Sequence, residues 1–86
     1  MKELERNLKA LANRRRLAIL KHLKESREAS VGDIAAKINL SFKATSRHLS
    51  VLSAADILEK DQRSSQVFYR LASTPKSVAR YIVSIL

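Results

Sequence analysis

The chain of 86 residues contains no cysteine, one glycine and one proline. Without cysteine it forms neither disulfides nor thiolate metal sites. With so little glycine and proline there is no Gly-rich phosphate loop, collagen-like repeat or flexible linker, which argues against a nucleotide-binding enzyme. No apolar run approaches the roughly 18 residues of a membrane span. The opening stretch Met1-Lys2-Glu3-Leu4-Glu5-Arg6 lacks the apolar segment of a secretory signal, so the expected setting is the cytoplasm, with no membrane partner. Acidic residues are scarce as well: 8 Asp+Glu stand against 17 Lys+Arg, a net charge of +9. Such an excess on so short a chain implies a polyanion partner.

The hydrophobic fraction of 45% is ordinary for a globular domain. A chain of this size buries only about 60 to 65% of its extended surface, so without disulfides or metal its core needs regular helix packing or a partner subunit.

Leu4, Leu8 and Leu11 recur at helical spacing and predict a short first helix. Asn13 is placed to cap a second helix with Leu17, Ile19, Leu20 and Leu23 on its core side, ending near Lys24. A polar connector, Glu25 to Ala29, leads to Ser30, which with Asp33 makes a capping box for a third helix carrying Val31, Ile34, Ala35 and Ile38. Asn39-Leu40-Ser41 reads as a three-residue turn: Asn39 tolerates the left-handed conformation, Leu40 plugs the core and Ser41 caps the next helix. The fourth helix, Phe42 to Ala55, turns Thr45, His48 or Leu49, and Leu52 inward, and Asp56 stands where a left-handed glycine often ends a helix. After Ile57 the period shortens toward two, predicting a β-hairpin from Leu58 to Leu71 with a polar loop over Gln62-Arg63-Ser64-Ser65-Gln66. Thr74-Pro75 reads as the start of a last helix striped by Val78, Tyr81, Ile82 and Ile85.

This order, ααααββα, is that of a winged helix-turn-helix: a mainly α domain spanning residues 1–86 with a small β-hairpin. On the fourth helix Phe42, Lys43, Ser46, Arg47 and Ser50 lie opposite Leu49 and Leu52, where recognition helices meet base edges. Lys43, Ser46 and Arg47 are the candidate readers. Ser41, Thr45 and His48 complete the DNA-contact set on this segment, and Arg14, Arg15, Arg63, Ser64 and Gln66 are candidates outside it. The plainer reading of the fourth helix is a solvated polar face. Ser46 and His48, two residues apart, point in different directions, and no paired carboxylates or metal cluster occur at usable spacing, so no catalytic residue is expected.

Three stretches resemble the ArsR-type winged-helix repressors, and the likeness runs over nearly the whole chain. They are Leu8-Lys9-Ala10-Leu11-Ala12-Asn13-Arg14-Arg15-Arg16-Leu17-Ala18-Ile19-Leu20, Ser30-Val31-Gly32-Asp33-Ile34-Ala35, and Leu40 to Leu52 running into Phe68-Tyr69-Arg70-Leu71. The resemblance implies a homodimeric repressor on an imperfect palindrome, with the fourth helix in the major groove, the hairpin as wing, and the first and last helices at the dimer contact. The metal-sensing members of that family use cysteines near the third helix or carboxylates and histidines on the last one. This chain has neither set, offering Lys76, Ser77, Arg80 and Ser84 on the last helix, so no metal or other cofactor is expected. The wing also lacks its usual glycine. No small-molecule effector is specified by the sequence.

Arg14, Arg15 and Arg16 oppose the positive end of a helix dipole, at a cost of about 0.3 to 1 kcal/mol per charge. Two readings stay open: phosphate contact from Arg14 or Arg15, or structural ion pairs, with Arg16 inclined to the second through Asp56 or Glu59. Arg63 at the hairpin tip is a phosphate or minor-groove candidate, although Glu59 and Asp61 nearby penalise some poses. The stripes Leu4, Leu8, Leu11 and Val78, Tyr81, Ile82, Ile85 have no obvious place in so small a core. Helices 2–11 and 75–86 are therefore the expected dimerisation elements, holding two recognition helices about 34 Å apart. The function expected is a sequence-specific regulator of double-stranded DNA, repressing as a homodimer. The alternative is a winged-helix protein-interaction module with only nonspecific nucleic-acid contact.

Overall fold

The computed structural model describes residues 1–73 and 77–86. Five helices, α1 Lys2–Leu11, α2 Arg14–Ser26, α3 Val31–Ile38, α4 Phe42–Ala54 and α5 Ser77–Ser84, are joined by three strands, β1 Glu28–Ser30, β2 Leu58–Arg63 and β3 Gln66–Leu71. Local chemistry sets most of the boundaries. The Asn13 side chain accepts from the Arg15 and Arg16 amides at 3.0 and 3.1 Å, starting α2. Ser30 and Ser41 hydroxyls accept from the amides of Asp33 and Ala44, each at 3.1 Å, starting α3 and α4. Of the capping box read at Ser30, the hydroxyl half is formed.

Two helices end the same way. Asn39 (φ 55°) closes α3, with its own amide on Ala36 O and the Leu40 amide on Ala35 O. Asp56 (φ 61°) closes α4, with its amide on Ser53 O and the Ile57 amide on Leu52 O. Both are left-handed caps of the Schellman kind. At the second, Ile57 and Leu52 are also buried together in the core. Leu40 is half-buried and stands outside the core cluster.

Ile19, Leu20 and Leu23 of α2, Ile34 of α3, and Leu49 and Leu52 of α4 are the largest fully buried apolar side chains. Leu58 and Tyr69 close it from the sheet, and Ala10, Leu11 and Ala79 from the terminal helices.

The sequence expectation needs three amendments. The connector before Ser30 contains strand β1, which pairs antiparallel with β3 through Glu28↔Arg70 and Ser30↔Phe68, so the sheet has order β1-β3-β2. Three residues carry no period, and this strand exists only because β3 presents an edge to it. The hairpin is tighter than expected: β2 and β3 pair out to Arg63↔Gln66, leaving Ser64 and Ser65 as the turn, with Ser64 at φ 59° where a glycine would be unstrained. The terminal stripes do not stand wholly outside the core. Leu11 is 5% exposed, and Val78 and Ile82 pack partly against the core cluster. Leu4 and Leu8 of α1, Tyr81 of α5 and Ile85 in the turn just past it remain exposed, and the two helices pack side by side. The helix start read at Thr74-Pro75 lies outside the described residues.

Candidate nucleic-acid interface

The turn Asn39-Leu40-Ser41 sets α4 across α3, and the 3.6-residue period divides α4 into two faces. Thr45, Leu49 and Leu52 point into the core. Phe42, Lys43, Arg47 and Ser50 are exposed, Ser41 is exposed at the cap, and Ser46 and His48 are half-buried between the faces. Thr45 corrects the contact set: with none of its surface exposed, it cannot touch a ligand. No carboxylate occurs in α4. Among the described residues the ion pairs are Lys9–Glu5, Arg63–Glu28, Arg63–Asp61 and Arg70–Glu59, so Lys43 and Arg47 are uncommitted.

The arginines that open α2 divide into two kinds. Arg14 and Arg15 are exposed, and with Lys21 and Lys37 they line an open groove between α2 and α3 in which Glu25 is the sole carboxylate. Arg16 turns back instead. Its Nε donates to Ala10 O at 2.6 Å, Nη2 to Lys9 O at 3.1 Å and Nη1 to His48 Nδ1 at 3.2 Å. A structural role for Arg16 was the sequence expectation, but its partners are helix-end carbonyls and an imidazole, not Asp56 or Glu59. With the Ala12 amide on Leu8 O and the Asn13 amide on Leu11 O, all four terminal carbonyls of α1 are satisfied. The guanidinium, a burden at the head of α2, is thereby spent on the negative end of α1. Burial, then the charges of Arg16 and Arg15, hold the His48 imidazole below its ordinary value of 6.5.

At the wing, Arg63 is engaged on every side. Its Nη1 and Nη2 donate to the two Glu28 oxygens, its Nε donates to Asp61 at 3.0 Å, and the group lies 4.7 Å over the Phe68 ring centroid. The Glu28 carboxyl is held below 4.5 chiefly by its bond from Arg63, whose own proton is held more tightly in turn. Glu59, an expected penalty to DNA approach, accepts from the Ser73 amide and hydroxyl at 3.1 Å and pairs with Arg70. Ser64 and Gln66 are exposed at the tip. Sequence reasoning missed Lys21 and Lys37, because each has a carboxylate four residues away on its own helix, Glu25 and Asp33, and reads as half of an intrahelical pair; neither pair is among the ion pairs of the described residues. It missed the Arg16–His48 contact altogether, because 32 residues separate the two.

Comparison with known proteins follows the same outline. The model of the bacterial regulatory protein, arsR family, matches residues 13–60, from the cap of α2 into β2. The chain is 38% identical over 81 residues to the transcriptional activator HlyU of Vibrio cholerae, covering 86% of this chain and 74% of that protein. It is 38% identical over 65 residues to the biofilm growth-associated repressor of Agrobacterium fabrum, spanning about half of that protein, 55%. The solved structure of reduced HlyU from Vibrio cholerae superposes with a TM-score of 0.84 at 34% identity, covering 99% of this chain and 85% of that one. The homodimeric winged helix-turn-helix DNA-binding domain Mb0332 of Mycobacterium bovis superposes with a TM-score of 0.84 at 31% identity, covering 98% and 75%. The chain belongs to the ArsR family of bacterial regulatory proteins, winged helix-turn-helix regulators of transcription.

Proposed function

We propose that the chain reads double-stranded DNA as a homodimer, with α4 in the major groove and repression of transcription as the outcome. The observation that carries this reading is the acid-free face of α4, where Lys43 and Arg47 stand exposed and uncommitted beside Ser46 and Ser50. Arg47 supplies a planar fork suited to a guanine edge, a contact worth about 1 to 3 kcal/mol of discrimination. Ser41 and Phe42 lie at the leading end of the helix. Arg14 and Arg15 retain the cost of cations at a helix start, which a phosphate nearby would remove. Ser64 and Gln66 are the tip residues free to meet the duplex. With Arg63 tied to Glu28 and Asp61, a contact from it requires exchanging those carboxylates for phosphate.

The pairing surface is built from Leu4 and Leu8 of α1 with Tyr81 of α5 and Ile85 in the turn that follows it, all exposed. Leu11, Val78 and Ile82 support it from beneath. The Mycobacterium bovis relative is homodimeric, and the same arrangement here would set two copies of α4 on successive major grooves. HlyU is named an activator and the Agrobacterium fabrum protein a repressor; a reporter with the operator between promoter elements separates these directions.

The test is a selection of bound duplexes from a random pool, followed by titration with Arg47→Ala. A two-fold symmetric consensus, and a variant that loses preference for it while still binding random duplex, support the reading. Equal affinity of the unmodified protein for every duplex overturns it and favours a protein-interaction module.

A further inference from the structure

One side chain joins the helix proposed to pair protomers to the helix proposed to read bases. From α2, Arg16 holds Lys9 O and Ala10 O of α1 and reaches His48 Nδ1 on α4 at 3.2 Å. A guanidinium offers donors only, so Nδ1 must accept, and the imidazole in this bond carries its proton on Nε2. The fork is planar and rigid, so three acceptors on two helices fix one direction against the other, which a lysine ammonium cannot do.

We propose that Arg16 is a positioning residue: it brackets α1 to α4, with neutral His48 as its acceptor, and so sets the angle at which the reading helix is presented relative to the partner protomer. This rests on the DNA-reading role argued above. His48 adjoins Arg47 and lies two residues from Ser46 and Ser50, so any tilt that follows loss of the bracket moves those side chains with it. Base-edge contacts demand that alignment, whereas phosphate contacts tolerate its loss. The charged groups facing the ring are both cations, Arg16 and Arg15 of α2. Protonation would add a third and abolish the acceptor. The bracket is therefore complete above the ordinary imidazole value of 6.5 and is lost as pH falls through the lowered one.

The experiment uses the full chain and two readouts. Imidazole nitrogen NMR assigns the His48 tautomer in the unmodified protein and in Arg16→Lys, which keeps the charge and removes the fork. Titration against the selected duplex and a random duplex, in steps downward from about pH 7.5 as far as circular dichroism shows the chain folded, follows the selectivity ratio as the His48 ring takes up its proton. The proposal expects an Nε2–H ring that becomes a tautomer mixture in Arg16→Lys, together with a selectivity ratio lowered about tenfold at unchanged random-duplex affinity. It also expects an acid-induced fall in the ratio that disappears in His48→Asn, whose side-chain oxygen replaces Nδ1 as a non-titrating acceptor. An Nδ1–H ring, a shifted tautomer with selectivity intact, or an acid fall persisting in His48→Asn overturns it. If the unmodified protein does not discriminate between duplexes, the DNA-reading role falls first, and an Nδ1–H or Nε2–H ring still decides the bracket.

Discussion

Leu8 is the most direct test of how the molecule pairs. It sits in the middle of α1 with 49% of its surface exposed, on the same stripe as Leu11, which is 5% exposed. Burying a leucine fully is worth about 1.5 to 3 kcal/mol, so covering the remaining half returns roughly half of that, and a two-fold axis counts it twice. Leu8→Ala should therefore weaken association by about 1.5 to 3 kcal/mol, which is a dimer Kd raised roughly 10- to 150-fold. Alanine is the best helix former, and the carbonyl ends of α1 are closed by backbone amides and Arg16, so the helix itself should persist. Sedimentation equilibrium over a concentration series measures the constant, with circular dichroism melts as the control for folding. Leu11→Ala is the contrasting variant, expected to destabilise each protomer by about 2 to 5 kcal/mol. An association constant unmoved by Leu8→Ala, or an unmodified chain that stays monomeric throughout, would refute the assignment of this face.

Three further outcomes can be stated. If the groove between α2 and α3 follows the phosphate backbone, Lys37→Gln should weaken binding to all duplexes alike and flatten the log–log salt dependence by about 0.9, while an unchanged slope removes the groove from the footprint. Arg27 joins α2 to β1 at φ 73° and ψ −50°, outside the left-handed helical basin, a strain of roughly 1 to 3 kcal/mol that glycine escapes at a cost of about 0.5 to 1. Arg27→Gly should accordingly raise the melting temperature by a few degrees, and a lower one would show the joint to be relaxed. Glu28 and Glu59 are both held below 4.5, by the bond from Arg63 and by the Ser73 amide respectively, so each keeps its charge in the folded state where the unfolded chain would protonate. Their contribution is complete above that value and is lost as pH falls through the lowered ones. Thermal melts across this range should show a shallower acid limb in Glu28→Gln.

What the sequence disclosed was mostly local. Asn13, Ser30 and Ser41 cap amides two or three residues away, and Asn39 and Asp56 turn within their own helix ends, so their roles were legible from residue type and spacing. Strand β1 was not, because its hydrogen-bond partners lie some forty residues on, at Phe68 to Arg70. Distance likewise hid His48 from Arg16 and Glu28 from Arg63, 32 and 35 residues away. The Lys9 and Ala10 carbonyls, near Arg16 in sequence, come within its reach only through the turn between α1 and α2. A charge count predicts that an arginine needs compensation, but only the fold shows that Arg16 receives it from carbonyls and Arg63 from Glu28. On α4 the helical period foretold Leu49 and Leu52 correctly. Thr45 was placed on both faces at once, and burial leaves it on the inner one.

The sheet balances its own charge: Lys60, Arg63 and Arg70 are matched by Glu28, Glu59 and Asp61, so the net +9 of the chain belongs to the helices and their connections. A molecule of that kind is electrically lopsided. In the field of a polyanion its helical side is drawn forward over distances set by the Debye length, while the hairpin feels little pull. Landing would then proceed in sequence, helices first under long-range attraction and the hairpin afterward at short range, so that ionic strength acts on the approach of the helices and little on the docking of the hairpin.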